Sequence, residues 1–243
     1  MSSKLVRRPA ASRLIVALDL PDLASALRMA RRVRGLAETV KIGSALFTAE
    51  GPEAIRRLRA LGFEVFLDLK FHDIPSTVAK SCRAAVAHRV RMLTVHASGQ
   101  SEMLAAAAEG VREEAAKRGV PRPLVVGVTV LTSVEAEGAA RLALALAAAA
   151  KRAGLDGVVA SAHEVSAIRR RLGKTFGIVC PGIRLGAGHR EDQRRVASPR
   201  EAIARGADWL VVGRPITEAT DPRGSAQAIL KDIEEANRSK RNV

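Results

Sequence analysis

Residues 64–87 read EVFLDLKFHDIPSTVAKSCRAAVA. The run Glu64–Leu69 alternates along a strand, Pro75 turns the chain, and Val78–Ala87 carries a helical pattern. One strand–helix unit decides little, but its repetition decides the fold. Further strand-like runs fall at Leu14–Leu18, Thr39–Ile42, Met92–Val95, Leu124–Thr129, Gly157–Ala160, Phe176–Val179 and Trp209–Val212. Helical patterns lie between them at Leu23–Val33, Pro52–Leu61, Glu102–Lys117, Ala139–Ala153, Glu164–Arg171 and Pro199–Arg205, and Ser225–Ala236 closes the chain. Strands alternating with helices pair in parallel through right-handed crossovers. Eight such units in 243 residues predict an α/β fold, a single (β/α)8 TIM barrel. No GxGxxG follows the first strand, which weighs against a doubly wound sheet. No Pro/Gly/Ser-rich linker divides the chain, so one domain is expected over 1–243, with 1–12 as a flexible N-terminal extension. The Ala-rich tract Leu142–Ala150 sits where a helix belongs.

The balance of 47% apolar and 27% charged residues is that of a folded chain, not a disordered or fibrous one. Nothing approaches the roughly 18 consecutive apolar residues of a membrane span. The basic start MSSKLVRRPAASR has no apolar run behind it and is not read as a secretory signal. Cys82 and Cys180 lack a CxxC partner, so they are expected to be reduced, in a cytoplasm. His72, His88, His96, His163 and His189 show no HxH or HExxH spacing, and no metal site is expected. A net charge of +15 raises the question of nucleic acid. The arginines are scattered over helical faces (Arg28, Arg31, Arg32; Arg56, Arg57, Arg59; Arg169, Arg170, Arg171), and aromatic platforms for bases are scarce. A solvated surface is the simpler reading, with neither nucleic acid nor membrane as partner.

In such a barrel, chemistry belongs at the carboxyl ends of the strands. Polar residues gather there: Asp19, Lys41, Asp68, Lys70, His96, Thr132, Ser133, Arg184 and Arg214. Alternation along the third strand puts Phe66, Asp68 and Lys70 on one face, with Val65, Leu67 and Leu69 on the other. Lys41 and Asp19, from neighbouring strands, can join the first set. A buried ion pair stabilises little after desolvation. Two acids and two bases clustered at a mouth therefore point to chemistry. Flanking carboxylates favour the ammonium form of Lys70, which suits it to donate a proton.

The segment Asp68-Leu-Lys70-Phe-His72-Asp73-Ile-Pro75-Ser-Thr77 closely resembles the signature of the orotidine 5′-monophosphate decarboxylase family. The resemblance runs nearly end to end, through Ala17-Leu-Asp19, Val40-Lys41-Ile-Gly43, Thr94-Val-His96-Ala and Val128-Thr-Val-Leu-Thr132-Ser133. It continues in Pro181-Gly-Ile-Arg184, Asp192-Gln193-Arg-Arg-Val196 and Val211-Val-Gly213-Arg214-Pro215-Ile. It implies decarboxylation of orotidine 5′-monophosphate to uridine 5′-monophosphate in pyrimidine synthesis, without cofactor or metal. By match, Lys70 protonates C6, Asp68 and Asp73 hold it, and Lys41 completes the charge network. Asp19, Lys41 and Thr77 meet ribose hydroxyls, while Thr132 and Ser133 meet the pyrimidine amide edge. Arg184, Gln193, Gly213 and Arg214 hold the phosphate. The stretch Asp73 to Thr77 reaches the neighbouring subunit, so a homodimer with shared sites is implied. Two departures stand out: Gln100, where a second glycine is expected, and the loop 185–191. The rival readings are a magnesium-dependent sugar-phosphate decarboxylase of the same barrel suprafamily and a non-catalytic nucleic-acid binder.

Losing CO2 from C6 leaves a carbanion that the ring delocalises poorly. With no metal cluster, and a lysine whose carboxylate neighbours argue against a Schiff base, electrostatics remains. A preorganised ammonium faces the developing charge, in a site closed by phosphate binding.

Overall fold

The computed structural model describes residues 9–130, 138–185 and 196–239. A short turn, α1 (Ala10–Arg13), feeds β1 (Leu14–Ala17); α2 (Leu23–Val33), β2 (Thr39–Gly43), α3 (Ser44–Glu50), α4 (Pro52–Ala60), β3 (Glu64–Phe71) and α5 (Pro75–Ala87) follow. Next come β4 (Met92–His96), α6 (Gln100–Arg118), β5 (Leu124–Val128), α7 (Ala139–Arg152), β6 (Gly157–Val159), α8 (Ala162–Leu172) and β7 (Gly177–Cys180). The chain ends with α9 (Pro199–Arg205), β8 (Trp209–Val212), α10 (Arg214–Thr217) and α11 (Pro222–Ser239). Consecutive strands pair in parallel, and β8 closes on β1 with Ile15 opposite Val211. The expected eight-stranded barrel is present.

Strand alternation sorts the apolar residues into two cores. Ile15, Ala17, Phe66, Met92, Val126, Val179, Trp209 and Val211 fill the barrel. Val40, Ile42, Val65, Leu67, Leu93 and Val95 point outward and are covered by the helices. Each such side chain contributes about 1.5–3 kcal/mol when fully buried. The single tryptophan, Trp209, fits because β7 has a glycine beside it: a Cβ on Gly177 would lie 3.0 Å from the indole. Two aspartates tie the amino ends of the strands. Asp156 accepts the Val125 N–H at 2.8 Å and pairs with Arg122; Asp208 accepts the Ile178 N–H at 2.8 Å and pairs with Arg169 at 2.6 Å. That end is closed by structural polar contacts, and the opposite end is left for chemistry.

Helix starts follow local chemistry. The Asp22 side chain accepts the Ser25 N–H at 2.7 Å, and Ser198 and Glu201 form a reciprocal capping box around Pro199. Helix α5 begins at Pro75, three residues before the expected Val78, because proline suits the first helical position. Helix α3 is an addition: Gly51, at φ +61°, separates it from α4. The Ala-rich tract lies within α7 as expected. Of the proposed extension 1–12, residues 1–8 lie outside the described residues, while the Ala11 carbonyl accepts the Glu38 N–H at 3.2 Å. Gln100, where the sequence departs from a glycine, has φ +61°; this left-handed conformation is one that glycine adopts without strain. Burial pushes both the Cys82 and Cys180 thiols up to about 12, so they pack as small apolar groups. Among the described residues, no helix is long and apolar enough to cross a membrane.

Candidate active site

At the carboxyl ends of the strands lies a cavity of about 580 Å³. One wall is charged. Lys41, in β2, points inward and is 7% exposed; its Nζ lies 2.7 Å from Asp19 Oδ1 and 3.6 Å from Asp68 Oδ2. The same Asp68 oxygen receives Lys70 Nζ at 2.9 Å. The order is thus Asp19, Lys41, Asp68, Lys70, alternating in sign along one wall. Lys41 is nearly dehydrated, and a lone ammonium there would be costly; flanking carboxylates offset that cost. Lys70 is more open, with 36% of its side chain exposed. Among the described residues its only ion pair is with Asp68, so one of three ammonium donors is committed. Val128, Val159 and Val211, from β5, β6 and β8, add apolar side chains to the lining, as does Phe66 on β3. Gly182, Gly213 and Arg214 line the cavity away from the lysines' own strands.

The third strand reaches this arrangement by a departure from regular geometry. Pairing with β4 runs Phe66–Met92 and Leu67–Leu93, then resumes at Phe71–Val95. Four steps on β3 therefore oppose two on β4, and the surplus is a bulge. Lys70 lies in it at φ +52°, a conformation that costs a non-glycine residue about 1–2 kcal/mol. Simple alternation correctly brings Phe66, Asp68 and Lys70 to one cavity, but it does not contain this kink. Thr94, wholly buried on β4, meets the kink: its hydroxyl accepts the Lys70 N–H at 2.8 Å and donates to Asp68 Oδ1 at 3.0 Å.

Gly43 is a second residue whose importance appears only in three dimensions. A Cβ there would lie 2.5 Å from Asp19 Oδ1 and 3.0 Å from Lys41 Nζ. Its backbone, at φ −88° and ψ 177°, is open to any residue, so Gly43→Ala should fold. The methyl would push Asp19 off Lys41, and kcat/KM should fall about 10- to 100-fold through misplacement. Steady-state kinetics beside a thermal melt checks this. Unchanged kcat/KM with an intact fold would remove the Asp19–Lys41 contact from the site. In the sequence Gly43 stands only as the last residue of the Val40-Lys41-Ile-Gly43 motif, two beyond an inward lysine, with no role attached.

Other expected residues are distributed unevenly. Asp73 and Thr77 are exposed and do not line the cavity; Asp73 Oδ1 instead accepts the Ile74 N–H at 2.7 Å. One chain alone therefore does not bring Asp73 to Lys70. Gly213 and Arg214 do line the cavity. Arg184 is half-buried, its N–H donating to the Ala197 carbonyl at 3.0 Å, and it is not among the lining residues. Thr132, Ser133 and Gln193 lie outside the described residues, as does most of the loop 185–191. His96 sits at the end of β4 with its ring centroid 5.3 Å from that of His72. Burial, then the charges of His72 and Lys70, hold its imidazole below the usual histidine range, so it favours the neutral form.

The sequence model of the "Orotidine 5'-phosphate decarboxylase / HUMPS family" matches residues 12–229. The orotidine 5′-phosphate decarboxylase of Moorella thermoacetica is 48% identical, over 95% of this chain and 96% of its own length. The enzyme of the same name from Syntrophotalea carbinolica is 50% identical over 92% of this chain and 96% of its own. Among solved structures, the orotidine 5′-phosphate decarboxylase of Lactobacillus acidophilus superposes with a TM-score of 0.79 at 34% identity, covering 93% of this chain and 99% of that one.

Proposed function

Since the chain belongs to the orotidine 5′-phosphate decarboxylase / HUMPS family, we propose that its charged barrel mouth is where orotidine 5′-monophosphate loses CO2 to give uridine 5′-monophosphate. The protein is a carboxy-lyase of pyrimidine synthesis. The observation that carries the assignment of the site is the Asp19–Lys41–Asp68–Lys70 series at the carboxyl ends of adjacent strands.

The C6–carboxylate bond breaks and its electron pair stays on C6. The Lys70 ammonium faces that charge and gives up one N–H proton, so C6 leaves as C–H. Water returns the proton to Lys70 after product departs. Asp68, itself paired with Lys41, holds the ammonium in place before the charge develops, with Asp73 of the partner subunit as the second carboxylate, so little reorganisation accompanies the step. The apolar side chains of Val128, Val159 and Val211 accommodate neutral CO2 better than the carboxylate from which it forms. Gly213 and Arg214 receive the 5′-phosphate, the non-reacting part whose binding energy positions the ring, and Arg184 and Gln193 assist. Thr132 and Ser133 meet the pyrimidine amide edge, and Asp19 and Lys41 the ribose. No step in this account calls for a cofactor.

Two copies of the chain form the working unit, with Asp73 of each directed to the Lys70 of its partner and Thr77 to the partner's ribose. The exposed position of Asp73 and Thr77 in a single chain supports this reading. Free, buried cysteines suit a reducing cytoplasm.

The test is the loss of absorbance of orotidine 5′-monophosphate on adding purified protein stripped with EDTA. Full activity in the chelator is expected. Inactivity there, with magnesium-dependent turnover of a sugar-phosphate acid, would move the chain to the other branch of its family. Salt-sensitive binding of random oligonucleotides without decarboxylation would instead favour the nucleic-acid reading.

A further inference from the structure

We infer that Thr94 is a positioning residue for the reaction: one buried hydroxyl fixes both the backbone of the proton donor and the carboxylate that pairs with its ammonium. The inference rests on the decarboxylase reading for its kinetic consequence, but not for its geometry.

The bulge in β3 supplies the reason. Between Leu67 and Phe71 the ladder to β4 is interrupted, so the N–H of Lys70 is taken by a side chain instead of a strand carbonyl. A buried N–H left without an acceptor is strongly disfavoured. Thr94 Oγ1, at 2.8 Å, is that acceptor. The same hydroxyl has one proton, and it donates this to Asp68 Oδ1 at 3.0 Å. The other Asp68 oxygen faces Lys70 Nζ at 2.9 Å and Lys41 Nζ at 3.6 Å. Asp68 is therefore gripped from behind by Thr94 and presents its second oxygen to the two lysines. The arrangement closes a ring from Thr94 to the Lys70 backbone, along the lysine side chain to its ammonium, to Asp68, and back to Thr94. Lys70 meanwhile keeps its φ of +52°.

Thr94 is wholly buried and does not line the cavity. It cannot hold substrate, so its influence must pass through Lys70 and Asp68. That separates it from a binding residue and predicts an effect on kcat with little on KM. It also explains why a hydroxyl is needed at an otherwise apolar stretch of strand. Valine has nearly the same shape but can neither accept from the amide nor donate to the carboxylate.

Full-length wild type, Thr94→Val and Thr94→Ser are compared by kcat and KM for orotidine 5′-monophosphate, by uridine 5′-monophosphate binding, and by crystallography. In Thr94→Val, kcat should fall about 10- to 100-fold while KM and product affinity stay near wild type. Thr94→Ser, which keeps the hydroxyl, should retain most of kcat. In the valine crystal Lys70 should leave the left-handed region, or its Nζ should withdraw from Asp68. A folded valine variant with wild-type kcat, or a serine variant as impaired as valine, overturns the inference. Should valine not fold, Thr94→Cys takes its place: a thiol is a poor partner for both groups, and kcat equal to that of serine counts against the role. If wild type leaves orotidine 5′-monophosphate untouched, the proposed function fails and crystallography alone decides. Unchanged Lys70 and Asp68 geometry in the valine or cysteine variant then refutes the positioning claim, and a displaced Lys70 sustains it.

Discussion

Lys70→Ala should give a folded protein that binds uridine 5′-monophosphate and does not decarboxylate. Two effects vanish with the ammonium: the field at C6 and the proton that ends the carbanion. General acid catalysis alone is worth about 10²–10⁴ in rate and a preorganised electrostatic donor about 10²–10³, so a loss of about 10⁴ or more is expected. Product affinity should change far less, because the proposed phosphate contacts, Gly213 and Arg214, line the cavity from beyond β8 and not from the strand of Lys70. Stability should fall only modestly. Asp68 loses the 2.9 Å partner but keeps the Thr94 hydroxyl and Lys41. With Lys70 about a third exposed, breaking this pair should cost about 1–2 kcal/mol, well under the roughly 3–5 kcal/mol of a fully buried one. Single-turnover kinetics, calorimetry with the product and a thermal melt together check this. Turnover near wild type would end the proton-donor assignment, while an unfolded variant would move the residue from chemistry to structure.

What could be read from the sequence, and what could not, divides along physical lines. Apolar alternation is a local property, and the eight strands fall within two residues of where it puts them. Inward and outward faces follow from the same period, so Lys41, Asp68 and Lys70 could be brought to one mouth without coordinates. Register is not local. The bulge that places Lys70 at positive φ depends on how β4 lies against β3, and no residue in the run Glu64–Phe71 announces it. Thr94 stands in the sequence as the polar member of the Thr94-Val-His96-Ala motif, with no role attached; its meaning comes from the amide and carboxylate opposite. Gly43 likewise gains its role from the side chains of Asp19 and Lys41 folding over it. Gln100 is the reverse case. The missing glycine is a departure from pattern in the sequence, and the φ of +61° at Gln100 supplies the conformational reason a glycine belongs there. A short element such as α3 holds too few residues for a helical period to show.

Mixing two dead proteins should restore activity, if each site draws on both chains. Asp73 follows the barrel strand by two residues, and Pro75, at the first position of α5, leads the backbone away from the mouth. Between them Ile74 leaves 64% of its surface exposed, an apolar side chain that a partner would cover. Asp73 is exposed in the same turn, and its carboxylate meets only a neighbouring N–H among the contacts described. Asp68 and Lys70, by contrast, stay at their own barrel's mouth. Take Lys70→Ala and Asp73→Asn, each inactive alone, and let their subunits exchange. In a mixed dimer one site carries both defects, and the other combines an intact Lys70 with an intact Asp73. Equal mixing makes half the dimers mixed, each with one sound site, so about a quarter of all sites should work in a symmetric pair. If Asp73 served its own chain, every mixed site would keep one defect and no activity would return. Exchange is verified with a tag on one partner, because unexchanged homodimers are equally silent. Confirmed exchange without recovery would place Asp73 with its own Lys70 and refute the shared site.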